Sequence, residues 1–392
     1  MEILRIIDGR RLACPASLAL EERILLIRLS HLGDVVHALV VFHALRAAHP
    51  RARLAWAIEP EFAGLIEGLS GLERTILFER RRGAAAWLQL AAQLASFNPT
   101  WIVDAQGNLK SAAVSLCAPS ARRSGLHRRD WREPAGSRVL HDWAEPTSAA
   151  PAHAIDRMLQ LCLHVGGHGA APNFDLCLSS DELARGEGAL RTALGSAPAP
   201  EDVLLGLSSA GDVRSWPLGR WIDLARELAR AGRRVLAISG PGEIEIGRQF
   251  AAHFESELAV RSWIGQRGLR ELAAALTIAA RAGARYVGVD SGPLHLAVAA
   301  GLSVIALEGP QSHLRTGPWP PPERESEAPR HRVVHSAQPP SCAPCFSRVC
   351  RHAQGPICMG ALDAARVVAA LNEEWTAKAC PAWQPRRVSP WA

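Results

Sequence analysis

Five polar turns in this 392-residue chain combine residue types and spacings that could do chemistry. The first is S-H-L-G-D, where Asp34 and Gly33 follow directly on the apolar run RILLIRL. A carboxylate there has two readings. As an N-cap it accepts hydrogen bonds from free helix N–H groups. As a general base it must face a crevice and reach an acceptor hydroxyl. Taken alone, the turn favours the cap. Gly33 permits an unusual backbone angle, and His37, one turn further on, is a helix-face histidine near the same mouth.

The second turn, D-A-Q-G-N-L-K-S, gathers Asp104, Gln106 and Lys110 around a glycine, and Lys110 is one of only two lysines in the chain. The third, S-S-A-G-D-V-R-S-W-P, carries Ser208, Ser209 and Arg214 ahead of a Pro-started helix. Hydroxyls and a guanidinium suit a diphosphate, and they equally suit a solvated loop. The fourth, I-S-G-P-G-E, lets a nucleoside lie against bare backbone, with Glu243 or Glu245 able to bind a hydroxyl or amino group. It matches neither the G-x-G-x-x-G fingerprint nor a P-loop, which weakens a nicotinamide or P-loop ATPase reading. The fifth is V-D-S-G-P-L-H, where Asp290, Ser291 and Gly292 open a helix and His295 lies on its first turn. A helix start of this kind favours a phosphate through its free N–H groups and dipole. A cap by Asp290 or Ser291 is compatible with that.

All five turns lie at expected strand ends, so the elements between them must carry them. Strand and helix signals alternate from about residue 23, with RILLIRL, RARLAWAIE, RTILFE and WIVDAQG as strands and a helix over 35–48. The stretch 127–152 reads as loop. After G-S-A-P-A-P-E-D at 195–202, which has linker composition, the alternation restarts with VLLGLSS, RRVLAISG, ARYVGVD and SVIALEG. Strand-helix alternation calls for parallel sheets covered by helices on both faces. Two such units give paired Rossmann-like, doubly wound domains with a ligand crevice between the carboxyl ends of their sheets. The expected division is an extension at 1–22, a first domain at 23–194, the linker at 195–202, a second domain at 203–376 whose last helix can return to the first, and a tail at 377–392.

Composition narrows the class. Hydrophobic residues make up 48% and charged residues 21%, which describes a globular chain with ample core material. No segment reaches the ~20 uninterrupted apolar residues of a membrane span, and no signal-peptide succession opens the chain, so a cytoplasmic protein is expected. The net charge is +6, almost all from arginine. That fits an anionic partner, and equally a genome that writes Arg for Lys. A nucleic-acid module is disfavoured because the basic residues are dispersed and no recognition motif appears. Four of the nine cysteines, Cys342, Cys345, Cys350 and Cys358, cluster in S-C-A-P-C-F-S-R-V-C-R-H-A-Q-G-P-I-C. In a cytosolic protein this spacing suggests a metal site more than disulfides, although zinc ribbons usually hold two close pairs.

Taken together and in order, ILLIRLSHLGDVVHALVVFHALR, DAQGNLKSA, GDVRSWPLGRW, GVDSGPLHLAVAAG and ALEGPQSHLRTGPW resemble the motifs of glycosyltransferase family 9. These are the ADP-heptose heptosyltransferases of lipopolysaccharide core synthesis. The likeness runs from about residue 23 to 370, and the cysteine stretch also resembles a segment found in many members. The resemblance implies a GT-B fold with an acceptor-binding first domain and a nucleotide-sugar-binding second domain. It implies inverting, metal-independent transfer of a heptose from ADP-heptose to a Kdo or heptose acceptor, at the cytoplasmic face of the inner membrane. Carried over by motif, Asp34 looks like the catalytic base. Ser208, Ser209, Arg214, Asp290, Ser291, Gly292 and His295 look like donor ligands, with Glu243 and Glu245 competing for the ribose. Lys110, Arg122 and Arg123, together with His37 and Gln106, are the acceptor-side candidates, because a Kdo–lipid A acceptor is strongly anionic. No cofactor is implied, and the cysteine cluster becomes structural, with zinc the less favoured reading of it.

Overall fold

The computed structural model describes residues 21–148, 152–167, 172–207, 212–266, 268–324 and 330–373. The sequence-defined extension up to residue 20, the tail and the Ser208–Ser209 pair lie outside them. The first half runs β1 (Arg23–Ile27), α1 (Leu32–Ala48), β2 (Arg53–Ile58), α2 (Pro60–Ile66), β3 (Leu72–Leu77), α3 (Ala84–Phe97), β4 (Trp101–Asp104), α4 (Leu109–Leu116), β5 (Arg122–Gly125), β6 (Asp142–Trp143) and α5 (Ala154–His164). After α6 (Ser180–Leu194) come β7 (Asp202–Gly206), α7 (Leu218–Arg230), β8 (Arg234–Ser239), α8 (Ile244–Ala252), β9 (Val260–Ile264), α9 (Leu269–Arg281), β10 (Arg285–Val289) and α10 (Gly292–Ala299). The chain closes with β11 (Ser303–Leu307), α11 (His313–Thr316), β12 (Arg332–Val334), α12 (Ile357–Gly360) and α13 (Ala364–Asn372).

Each half holds a six-stranded sheet whose described pairings are all parallel. The orders are β3-β2-β1-β4-β5-β6 and β12-β11-β10-β7-β8-β9, the same Rossmann order in both. The order reverses between β1 and β4 in one sheet and between β7 and β10 in the other, which is where open α/β sheets bind ligands. Strands buried on both faces are apolar throughout: Ile24 to Ile27 in β1 and Tyr286 to Val289 in β10 are all buried. This is the two-domain GT-B architecture.

Three features depart from the sequence reading. The first concerns strands: β5, β6, β9 and β12 are additional. Arg, Ser and Gly in RRSG, and only two residues in β6, leave no apolar run to read. The second concerns α6, assigned above to the first domain. It packs on α9, β8 and β9 of the second, with Gly186 against Ala274. The chain therefore crosses over between α5, which packs on α1, and α6, upstream of the proposed linker. The third concerns α13, which stays on the second sheet against α7, β11 and β12 rather than returning to the first. Arg285 donates to the Leu371 carbonyl at 2.9 Å and Trp216 to that of Leu362 at 2.9 Å, which ties this end of the chain down.

Candidate active site

At the first switch point, β1 ends at Ile27 and Arg28 turns inward, 8% exposed. Its Nη1 donates to the Ala105 carbonyl at the end of β4, 2.6 Å away, and its Nη2 pairs with Asp34 Oδ2. Gln106 braces the same junction by accepting from the Leu29 N–H at 2.6 Å, so it acts as framework here. Asp104 is fully buried and accepts from the N–H groups of Gln106 and Gly107 at 2.8 and 3.0 Å. Burial pushes its carboxyl up, against those hydrogen bonds. Lys110 is brought to this mouth and pairs with Glu59 at 2.7 Å.

The cap reading of Asp34 does not hold. Helix α1 begins at Leu32, so His31 occupies the N-cap position, with φ 67° and no side-chain cap bond. A non-glycine residue in that region carries roughly 1–3 kcal/mol of strain, a cost that tends to be kept at functional sites. Asp34 sits on the first turn, where the helix dipole favours a carboxylate. Its recorded partners are the Arg28 guanidinium and, at 3.7 Å, the His31 ring. The side chain is 41% exposed, so one face remains open to a substrate.

The second switch point is built from α10. Ser291 is its N-cap residue, and its side chain makes no cap bond. Asp290 is buried and accepts from His295 Nε2 at 3.2 Å and from the Thr316 hydroxyl at 3.0 Å. The Asp290 carbonyl accepts from Arg214 Nη1 at 2.9 Å. Arg214 is also gripped bidentately by Asp212, at 3.0 and 2.7 Å, which holds the Asp212 carboxyl below the usual range. Glu308, at the end of β11, is 1% exposed, and neither side-chain oxygen has a partner among the described residues. Burial, then Asp290, pushes it well up, with Arg214 opposing. Glu243 and Glu245 both line one groove with Trp216, Gln249 and Arg348, and Glu245 accepts from Gln249 at 2.9 Å.

The two switch points meet directly. A Cβ on Gly33 would lie 2.5 Å from the His295 ring, and a Cβ on Gly292 would lie 2.5 Å from that of Leu32. Gly33 is therefore required by space, and the unusual backbone angle expected of it belongs instead to His31. His37 Nε2 and His295 Nδ1 are 3.3 Å apart in the buried seam. His37 is thereby buried, with Nε2 against His295 rather than open to the crevice. Further bonds cross the seam: Arg324 to Asp156 at 2.7 and 2.6 Å, and Arg270 to the Leu65 carbonyl at 3.2 Å.

Arg122 and Arg123 are not brought to this site. They open β5 beside Trp101, the first residue of β4, at the end of the sheet opposite the crevice. Arg122 binds Asp142 at 2.9 Å, and Arg123 binds the Val139 carbonyl at 2.7 Å. Besides Arg214, two arginines near the crevice were not singled out from the sequence. Arg28 hides in a strand pattern. Arg157, half-buried on the first turn of α5, lies within electrostatic reach of Arg28, Asp34, Asp130 and Arg315, and burial pulls it down. Nothing in R-I-L-L-I-R-L or H-A-I-D-R distinguishes these from surface arginines.

The four clustered cysteines line one small pocket with Val213 and Pro310. Among the described residues no group of three or more His, Cys, Asp or Glu is arranged to hold a metal. No described helix is long and apolar enough to cross a membrane.

The sequence profile of glycosyltransferase family 9 (heptosyltransferase) matches residues 87–354. Lipopolysaccharide heptosyltransferase 1 of Pseudomonas aeruginosa is 27% identical over 375 residues, covering 89% of this chain and 97% of that protein. The protein of the same name from Escherichia coli K12 is 26% identical over 325 residues, covering 80% and 96%. Among solved structures, E. coli heptosyltransferase WaaC with ADP superposes with a TM-score of 0.63 at 22% identity, covering 89% and 96%. With a GT-B fold and this profile over most of its length, the chain belongs to glycosyltransferase family 9 and is a glycosyltransferase.

Proposed function

We propose that this enzyme transfers a heptose from ADP-heptose to a Kdo or heptose acceptor of the lipopolysaccharide inner core, with inversion and without a catalytic metal. The observation that carries the reading is the meeting of the first turn of α1, bearing Asp34, with the start of α10. The names of the curated relatives supply the sugar and the pathway. A membrane-linked acceptor would be met from the cytoplasmic side by a peripheral contact.

In this reading the acceptor hydroxyl attacks the anomeric carbon while Asp34 takes its proton, and ADP leaves from the opposite face. Arg28 aims the carboxylate, and proximity supplies most of its effect, because an aspartate is intrinsically a weak base at neutral pH. Charge developing on the leaving phosphate is met by the α10 N–H groups, the Ser291 hydroxyl and Arg214. Arg214 exchanges Asp212 for the phosphate when the donor binds. Ser208 and Ser209 are assigned to the same diphosphate by motif, and one of Glu243 and Glu245 holds the ribose.

The test is transfer from ADP-heptose to Kdo–lipid A. Asp34→Asn should lower kcat about 10²- to 10⁴-fold while the donor still binds, and chelation should leave the rate unchanged. A binding panel that ranks UDP- or GDP-sugars above ADP-heptose would overturn the donor, and full activity in the Asp34 variant would overturn the base.

A further inference from the structure

We propose that His37 is a positioning residue that, through His295 and Asp290, holds the helix bearing Asp34 in register with the helix that receives the donor phosphate. The inference rests on the functional reading just given and concerns a residue outside both ligand sets.

Three side chains form one line across the seam. Asp290 Oδ1 accepts from His295 Nε2 at 3.2 Å, and His295 Nδ1 faces His37 Nε2 at 3.3 Å. All three residues are buried. The carboxylate requires a proton on His295 Nε2, which leaves Nδ1 of a neutral imidazole as an acceptor. His37 Nε2–H must then be the donor. Burial, followed by the neighbouring His295, pushes His37 well down, which keeps it neutral as this arrangement needs. Its Nδ1 is buried without a partner among the described residues, so His295 supplies its recorded hydrogen bond.

A histidine is costly in this position. The other buried side chains of α1 are Val35, Val36, Ala38, Leu39, Val40, Val41, Phe42 and Leu45. An apolar residue would pack at His37 without an unsatisfied nitrogen. A single buried polar group with a single partner across an interface selects one register over neighbouring ones. Here that register matters because Gly33 and Gly292 bring the two helix starts into contact, and the other bonds named across the seam, from Arg324, Arg270 and His153, lie on other elements. Slippage of about 1 Å between base and donor is enough to cost roughly 100-fold in rate.

Three substitutions test this by placing or removing one N–H. His37→Gln carries an N–H where Nε2 stood, His37→Asn carries it short of His295, and His37→Leu carries none. The expected result is that Gln keeps kcat within about threefold, whereas Asn and Leu lose about 100-fold with donor KM changed by less than about threefold. Hydrogen exchange of the ligand-free protein gives a second readout that needs no knowledge of the sugar. Amides in the first turns of α1 and α10 should exchange faster in the Asn and Leu variants and not in Gln. If the Leu variant fails to fold, the contrast between Gln and Asn still decides. Gln behaving like Asn, or Asn retaining wild-type kcat and exchange, would overturn the proposal. A failure of the base assignment shows separately, in Asp34→Asn.

Discussion

The two halves of this enzyme share a strand order and a switch point, and each places an arginine held by an aspartate there. What differs is which partner is buried. In the first half Arg28 is 8% exposed and Asp34 is the open member, so the crevice is offered a carboxylate. In the second, Arg214 and Asp212 are both more than a third exposed, and Asp290 is buried beneath them. That crevice is offered a guanidinium, a hydroxyl and a helix start. One topology thus presents an open carboxylate on one side and a guanidinium beside a helix start on the other, through a reversal of depth within an ion pair.

Several changes would break or sharpen this contrast. The largest effect is expected from Asp34→Asn, described above, because it removes the open carboxylate of the first switch point. Next comes Arg214→Ala. Loss of charge-assisted bonds to a diphosphate should weaken donor binding by about 1.5–3 kcal/mol, roughly 10- to 100-fold, as measured by calorimetry. Unchanged donor affinity would mean that Arg214 stays with Asp212 throughout.

The seam itself should respond to pH. His153, on the first-domain side, meets the Gly317 carbonyl of the second at 3.2 Å, and burial pulls its pKa down to about 4. A histidine depressed in the fold takes up protons on unfolding, so its contribution is complete above about pH 6.5 and is lost as pH falls toward 4. That is of order 3 kcal/mol, and His331, pulled down to about 3 by burial, adds in the same direction. The melting temperature should therefore fall steadily below pH 6.5, and His153→Gln should flatten part of the slope. A melting curve independent of pH in this window would contradict the buried placement.

The smallest effects belong to the residues the structure moves away. Arg122→Ala and Arg123→Ala should both leave acceptor KM within about twofold, and Arg122→Ala should leave stability within about 1 kcal/mol, since its pair with Asp142 is exposed and such pairs contribute little. A large rise in acceptor KM would return them to the acceptor site.

The placement of polar groups at strand ends was largely legible in the residues. Asp34, Lys110, Asp290, Ser291 and His295 were all found near the crevice because an apolar run followed by a polar turn is a local signal. Arg122 and Arg123 were chosen by charge alone, and four residues of RRSG do not announce the strand whose start carries them to the end of the sheet away from the crevice. Helix α6 was misassigned because linker composition at 195–202 was visible and its packing on α9 was not.

The sequence by itself determined the alternation of strand and helix, the two sheets and the turns where polar groups collect. Each of these depends on patterns that repeat every two to four residues. Only the tertiary structure decided which aspartate is open, which arginine is buried and which histidines meet across the seam. Those choices follow from Arg28 meeting Ala105, 77 residues away, and His37 meeting His295, 258 residues away. No local pattern encodes such contacts. The first arises where β1 lies beside β4, and the second where two closely packed helix starts leave room for a ring above Gly33 and for nothing larger than a hydrogen on it.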